Sequence, residues 1–157
     1  MENLHYNQLK LQNQTCFPLY AAAREVIKQY HPFLEPLGLT YTQYIAMMVL
    51  WEKHQLSAKE LGQTLFLDSG TLTPVLKALE QKGFVTRSRC PEDERLLIVS
   101  ITEKGMQLQE PASMVPAKIG ECINLHAEEA AVLYPLLYKI LGVTVSLKQT
   151  VSVGKDV

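Results

Sequence analysis

Phe17, Tyr20, Ala21, Ile27 and Tyr30 recur at helical spacing, which predicts an amphipathic helix reaching to about residue 31. Pro32 and Pro36 are expected to end it, and PLGL to turn the chain. TYTQYIAMMVLWEKH then reads as a helix that is apolar almost all round, hence buried. Ser57-Ala-Lys-Glu60 has the pattern of a capping box, in which serine and glutamate satisfy each other's free backbone donors. The short helix it opens carries Leu61 and Leu65 and stops near Asp68. Asp68-Ser69-Gly70 supplies a turn and an N-cap for a second helix marked by Leu72, Leu76 and Leu79, with Gly83 placed as its stop.

Immediately afterwards the apolar period changes from helical to two. Residues 84–89 and 96–101 flank the polar tip CPEDER and predict a β-hairpin. Two short helices joined by a tight polar turn and followed by a hairpin make a winged helix-turn-helix. The fold class is therefore mainly α with a small β-hairpin. After Thr102 helical character returns, interrupted by Pro111 and Pro116, and a last helix is expected from roughly His126 to Leu141. One domain is expected over residues 1–142. Its DNA-binding lobe covers about 55–102, and dimerisation helices cover about 8–31 and 103–142. Residues 143–157 alternate weakly and read as a loose tail.

Composition narrows the class. The 157 residues are 47% apolar, enough for a real core, and the formal charge of −1 excludes a uniformly basic nucleic-acid binder. It leaves room for positive charge segregated on one face. No apolar run approaches the roughly 18 residues of a membrane span, and the N-terminus lacks the layout of a secretion signal. A cytoplasmic protein with no membrane partner is expected. Cys16, Cys90 and Cys122 are widely spaced, odd in number and without a histidine at zinc-like spacing. That predicts free thiols, no metal and no cofactor.

DSGTLTPVLKALEQKGFVTRSRCPEDERLLIVSITEKG, residues 68–105, closely resembles the recognition helix and wing of MarR-type transcription regulators. NQTCFPLYAAAREVIKQY together with LGLTYTQYIAMMVLWE narrows the likeness to the organic-hydroperoxide-sensing repressors of that family. The resemblance implies a homodimer on an AT-rich, pseudopalindromic operator in double-stranded DNA, released when organic hydroperoxide oxidises a cysteine in the first helix. It places that cysteine at Cys16. It also matches Tyr30 and Tyr41 to the tyrosines that hydrogen-bond the sulfur from the partner subunit, with Tyr20 one turn beyond Cys16. Cys122 falls where some members carry a second cysteine that captures the oxidised first one.

The chemistry behind this implication is simple. A thiolate is the reactive species, and an unperturbed thiol with pKa ~8.5 is only a few per cent ionised at neutral pH. Phenolic hydroxyls donate to S⁻ without adding charge to a pocket that must admit apolar chains. The plainer alternative makes Cys16 a small buried hydrophobe and the tyrosines core aromatics. Cys90, in the wing tip, reads as a tolerated surface residue. Pro18 departs from the family pattern, and either the first helix starts near it or the helix bends there.

For DNA, Lys77, Lys82, Arg87 and Arg89 stand against Glu80 alone across residues 71–89, a surplus suited to phosphate contact. Ser69, Thr71 and Thr73 are short donors at the start of the recognition helix. Arg95 is the wing arginine, suited to a narrow minor groove, and Asp93 is expected to orient an arginine. Three rival readings stay open: a single-cysteine regulator of broader oxidant, virulence or antibiotic responses, a thiol peroxidase, and a regulator that binds a phenolic effector without covalent chemistry.

Overall fold

The computed structural model describes residues 4–143, so the expected tail from residue 144 onward lies outside the described residues. The chain divides into two compact units, one ending at Ser113 and the other beginning at Met114. In the first, 3₁₀ turns at Leu4–Leu9 and Leu11–Asn13 lead into α1 (Cys16–Leu34), and a 3₁₀ turn at Glu35–Leu37 leads to α2 (Tyr41–Lys53). There follow β1 (Gln55–Ser57), α3 (Ala58–Leu65), α4 (Ser69–Gln81), β2 (Val85–Arg89), β3 (Leu97–Ile101), α5 (Glu103–Gln107) and α6 (Gln109–Ala112). The second unit holds α7 (Val115–Cys122) and α8 (Ala127–Ile140).

Local chemistry sets most of these boundaries. Ser57 Oγ accepts the Glu60 N–H at 3.1 Å while the Glu60 carboxylate accepts the Ser57 N–H at 2.9 Å, so the capping box opens α3 as read. Asp68 caps α4 by accepting the Thr71 N–H at 2.9 Å. At the other end of α4, Gly83 adopts φ +75°, the Gly83 N–H reaches Glu80 O and the Phe84 N–H reaches Leu79 O. This Schellman stop needs a left-handed residue, which glycine supplies without a Cβ clash.

Three boundaries differ from expectation. The first helix begins at Cys16 rather than near residue 8, which puts Pro18 in the first turn, where its missing N–H would have no helical partner anyway. It also runs through Pro32 to Leu34, because a proline removes only its own donor and the residues after it still complete a turn. The wing is more than a hairpin. β1 joins it to give a three-stranded antiparallel sheet in the order β1-β3-β2, with Leu56 opposite Val99 and Arg87 opposite Val99 on the other side.

The core of the first unit lies between α2, α3, α4 and this sheet, where Met47, Leu50, Leu61, Leu76, Leu79, Val85 and Val99 are fully buried. The Trp51 indole N–H donates to the Gly105 carbonyl at 2.9 Å, tying α2 to α5. A Cβ at Gly105 would run into the Phe84 carbonyl, so only glycine allows that approach.

Candidate DNA interface and redox site

The recognition helix α4 buries Leu72, Leu76 and Leu79 and turns Thr73, Pro74, Lys77 and Gln81 outward. The spacing i, i+4 and i+8 puts Thr73, Lys77 and Gln81 on one exposed stripe. Of the short donors read from sequence, Thr71 spends its hydroxyl proton on Asp68 at 2.8 Å and Thr73 on the Ser69 carbonyl at 2.6 Å. Both hydroxyls therefore face outward as acceptors first. Ser69 is exposed at the helix start.

The basic residues behave differently from one another. Arg87 lies flat against Glu80, with Nη2 2.6 Å and Nε 2.9 Å from the same carboxylate oxygen. This pair holds β2 to α4, and the Arg87 contact pulls the Glu80 carboxyl below the usual carboxylate range. Lys82 donates to Gly38 O and Gln43 Oε1. Of the four cations at residues 71–89, Arg87 is thus paired with a carboxylate and Lys82 is spent on two neutral oxygens, which leaves Lys77 and Arg89 as the exposed ones. Arg89 Nη1 donates to Glu94 O at 3.0 Å across the wing tip, while Asp93 Oδ1 accepts the backbone N–H of Arg95 at 3.0 Å. Asp93 thereby shapes the turn that presents Arg95.

Cys16 is the first residue of α1, exposed and free, and Cys122 is the last residue of α7, likewise exposed and free. Cys90 is free and half-buried in the wing tip. Tyr20 is exposed one turn beyond Cys16. Arg24, one turn further and unremarked by sequence reasoning, donates to the Tyr20 hydroxyl at 3.3 Å and lies 5.5 Å from its ring centre. Tyr30 and Tyr41 do come together, their ring centres 4.7 Å apart. Tyr44, also missed, packs 5.9 Å from Tyr30 and 6.2 Å from Trp51. Its position three residues after Tyr41 on a helix was the available signal.

Burial pushes the Tyr30 phenol up to about 12, helped by Tyr41 and Tyr44, and burial raises Tyr41 and Tyr44 as well. These phenols stay protonated across the physiological range and present neutral hydroxyls that can donate. A groove of about 710 Å³ opens beside Tyr30 and Tyr41, lined also by Ile27, Leu34, Leu39 and Lys82. Cys16 cannot use it within one chain: fourteen residues of helix separate it from Tyr30, a rise of roughly 21 Å.

Residues 28–111 match the family described as transcriptional regulator SarA/Rot. The chain is 47% identical over 141 residues to the organic hydroperoxide resistance transcriptional regulator of Bacillus subtilis (strain 168), covering 90% of this chain and 95% of that protein. AbfR of Staphylococcus epidermidis is similar in structure. Its reduced form bound to DNA gives a TM-score of 0.73 at 35% identity, covering 90% of this chain and 98% of that one. Its disulfide-formed state gives 0.62 at 35% identity, covering 90% and 97%. Wild-type MarR from E. coli gives 0.63 at 27% identity, covering 82% and 96%. Sequence and architecture agree: the chain belongs to the MarR-type transcription regulators, in the group of the organic hydroperoxide resistance regulator.

Proposed function

We propose that this chain is a cytoplasmic, homodimeric repressor that leaves its operator when organic hydroperoxide oxidises Cys16. The observation that carries the reading is the separation of Cys16 from the Tyr30–Tyr41 pair along one helix. A second copy, running the other way, brings its Cys16 to those phenols. Two copies place two α4 helices about one DNA turn apart, ~34 Å, on a pseudopalindromic AT-rich site. Ser69, Thr71, Thr73 and Lys77 face the major groove, Arg89 the backbone and Arg95 the narrow minor groove. Arg87 acts by bracing the wing against α4, and Asp93 by shaping the Arg95 turn.

In the sensing step the Cys16 thiolate attacks the distal peroxide oxygen. The O–O bond breaks, the alkoxide leaves and takes a proton to become an alcohol, and sulfur is oxidised to sulfenic acid. The Cys122 thiolate then attacks that sulfur, the S–O bond breaks, and hydroxide leaves and takes a proton to become water as the disulfide forms. The disulfide-formed state of AbfR supports this second step. Tyr30 and Tyr41 stabilise the thiolate by donating to it, and Tyr20 borders the same space. Each Cys16 is consumed once, so the chain is a sensor and not an enzyme.

The test is operator release by cumene hydroperoxide with the peroxide counted. Wild type releases after about one equivalent per Cys16, whereas Cys16→Ser stays bound. Release of Cys16→Ser at the wild-type dose overturns the reading, and multiple equivalents consumed per thiol points to the peroxidase.

A further inference from the structure

Lys82 follows the last residue of α4, and its side chain leaves that helix altogether. Its ammonium donates to the Gly38 carbonyl at 2.7 Å and to Gln43 Oε1 at 2.8 Å, partners 44 and 39 positions earlier in the chain. Gly38 is the left-handed residue of the turn between α1 and α2. Gln43 is buried, and it completes the capping box that starts α2. Its Oε1 accepts the Thr40 N–H at 3.1 Å, and its own N–H donates to Thr40 Oγ1 at 3.4 Å.

One oxygen is therefore shared between the cap that begins the tyrosine helix and the cation that ends the recognition helix. An amide oxygen offers two lone pairs, and Thr40 and Lys82 occupy both. Tyr41 is the residue immediately after Thr40, its ring against Tyr30, and Lys82 lines the same groove as those two phenols. The start of α2 cannot shift without either breaking a charge-assisted bond or carrying the end of α4 with it.

We propose that Lys82 is a positioning residue that couples the tyrosine corner to the recognition helix. In the reduced protein it fixes the C-terminal end of α4. When oxidation of the partner's Cys16 displaces Tyr30 and Tyr41, the same tie carries that displacement into α4. This rests on the reading that the Cys16 of a second copy docks on those tyrosines. Coupling of this kind is a difference between two states, so it is measured as a ratio of affinities and not as a single one.

The experiment uses the full chain with Lys82→Met, Lys82→Gln and Lys82→Arg. Operator affinity is measured before and after cumene hydroperoxide, sulfenic acid at Cys16 is trapped and counted, and fluorescence of Trp51, the sole tryptophan, reports on α2. In Lys82→Met the thiol is oxidised as in wild type and Trp51 still responds. The loss of operator affinity on oxidation, however, is smaller than in wild type by at least ~5-fold. Lys82→Arg, which keeps a charged donor, recovers most of that loss.

A merely structural role lowers both affinities and the melting temperature together and leaves the ratio at its wild-type value. A phosphate contact lowers the reduced affinity and reduces the salt slope by about one, again without changing the ratio. Either of these results overturns the proposal. If Lys82→Met fails to fold, Lys82→Gln carries the same comparison, and a wild-type ratio there overturns it equally. If wild type itself is not released by hydroperoxide, the Cys16 reading falls, and this inference falls with it by a separate and visible route.

Discussion

The DNA-reading lobe, taken together with α2 that packs into its core, and the flanking helices use their apolar residues in opposite ways. In α2 six residues are buried, and in α4 all three leucines of the inner face are buried. In α1, nineteen residues long, Leu34 alone is buried, and α8 buries none. Yet both flanking helices are strongly apolar, with Phe17, Leu19 and Ile27 exposed on α1 and Val132, Leu133, Leu136 and Ile140 exposed on α8. The lobe completes itself within one chain. The flanking helices carry a hydrophobic surface that one chain leaves open, which is what an obligate partner surface looks like before the partner arrives. We propose that the difference separates two energies, with folding in the lobe and assembly in the flanks.

Substitutions in each region should therefore move different observables. The largest effect is expected at Leu79, fully buried on α4. Leu79→Ala should cost about 3 kcal/mol of unfolding free energy in urea, from lost transfer and the cavity left behind. A loss below about 1 kcal/mol would mean that the lobe core is not the stabilising element. Next comes Leu136→Lys on α8. It should weaken the dimer by about 2 kcal/mol per buried leucine in sedimentation equilibrium, leaving far-UV circular dichroism unchanged. An unchanged dimer constant breaks the comparison.

A smaller effect is expected at the α3 cap. Ser57→Ala should cost about 1 kcal/mol in urea and leave the dimer constant alone. The smallest concerns pH. Glu60, Asp68 and Glu80, all in the lobe, are held below the usual carboxylate range, Glu60 by the Ser57 side chain, Asp68 by the Thr71 N–H and Glu80 by Arg87. A depressed folded value stabilises the ionised form. Their contribution is therefore present in full above the ordinary carboxylate range and lost as pH falls through the folded values. Melting temperature should be flat at neutral pH and drop in acid, and Glu80→Gln should shallow that drop. A drop of wild-type steepness in Glu80→Gln would remove the Arg87 pair from the account.

Much of the lobe was legible because its signals are local. Ser57 with Glu60, Asp68 ahead of α4 and Gly83 after it are each contained within a few residues, and each is observed in its expected role. The wing strands were legible from alternation. What sequence missed depends on contacts between distant positions. β1 is three residues long and exists because β3 pairs with it, so no local period marks it. Pro32 was read as a stop, but a proline forbids one donor and not the turn that follows. The charge count across residues 71–89 misled because charge does not tell where a side chain is spent. Arg87 is committed to Glu80, and Lys82 to Gly38 and Gln43. At the candidate redox site Tyr30 and Tyr41 were placed by resemblance. Tyr44 had a signal in its helical spacing from Tyr41, whereas Arg24 is marked only by its hydrogen bond to Tyr20.

In the proposed sensor the thiol comes from one copy and the phenols from the other. Mixed dimers test it most directly. One protomer carries Cys16→Ser and the other carries Tyr30→Phe with Tyr41→Phe, with the heterodimer isolated by two affinity tags. If the pocket forms between copies, the single Cys16 in that heterodimer faces intact Tyr30 and Tyr41, and it should react with cumene hydroperoxide at the wild-type rate. If it reacts at the slower rate of the Tyr30→Phe, Tyr41→Phe homodimer, the thiol is served by its own chain and the account is wrong.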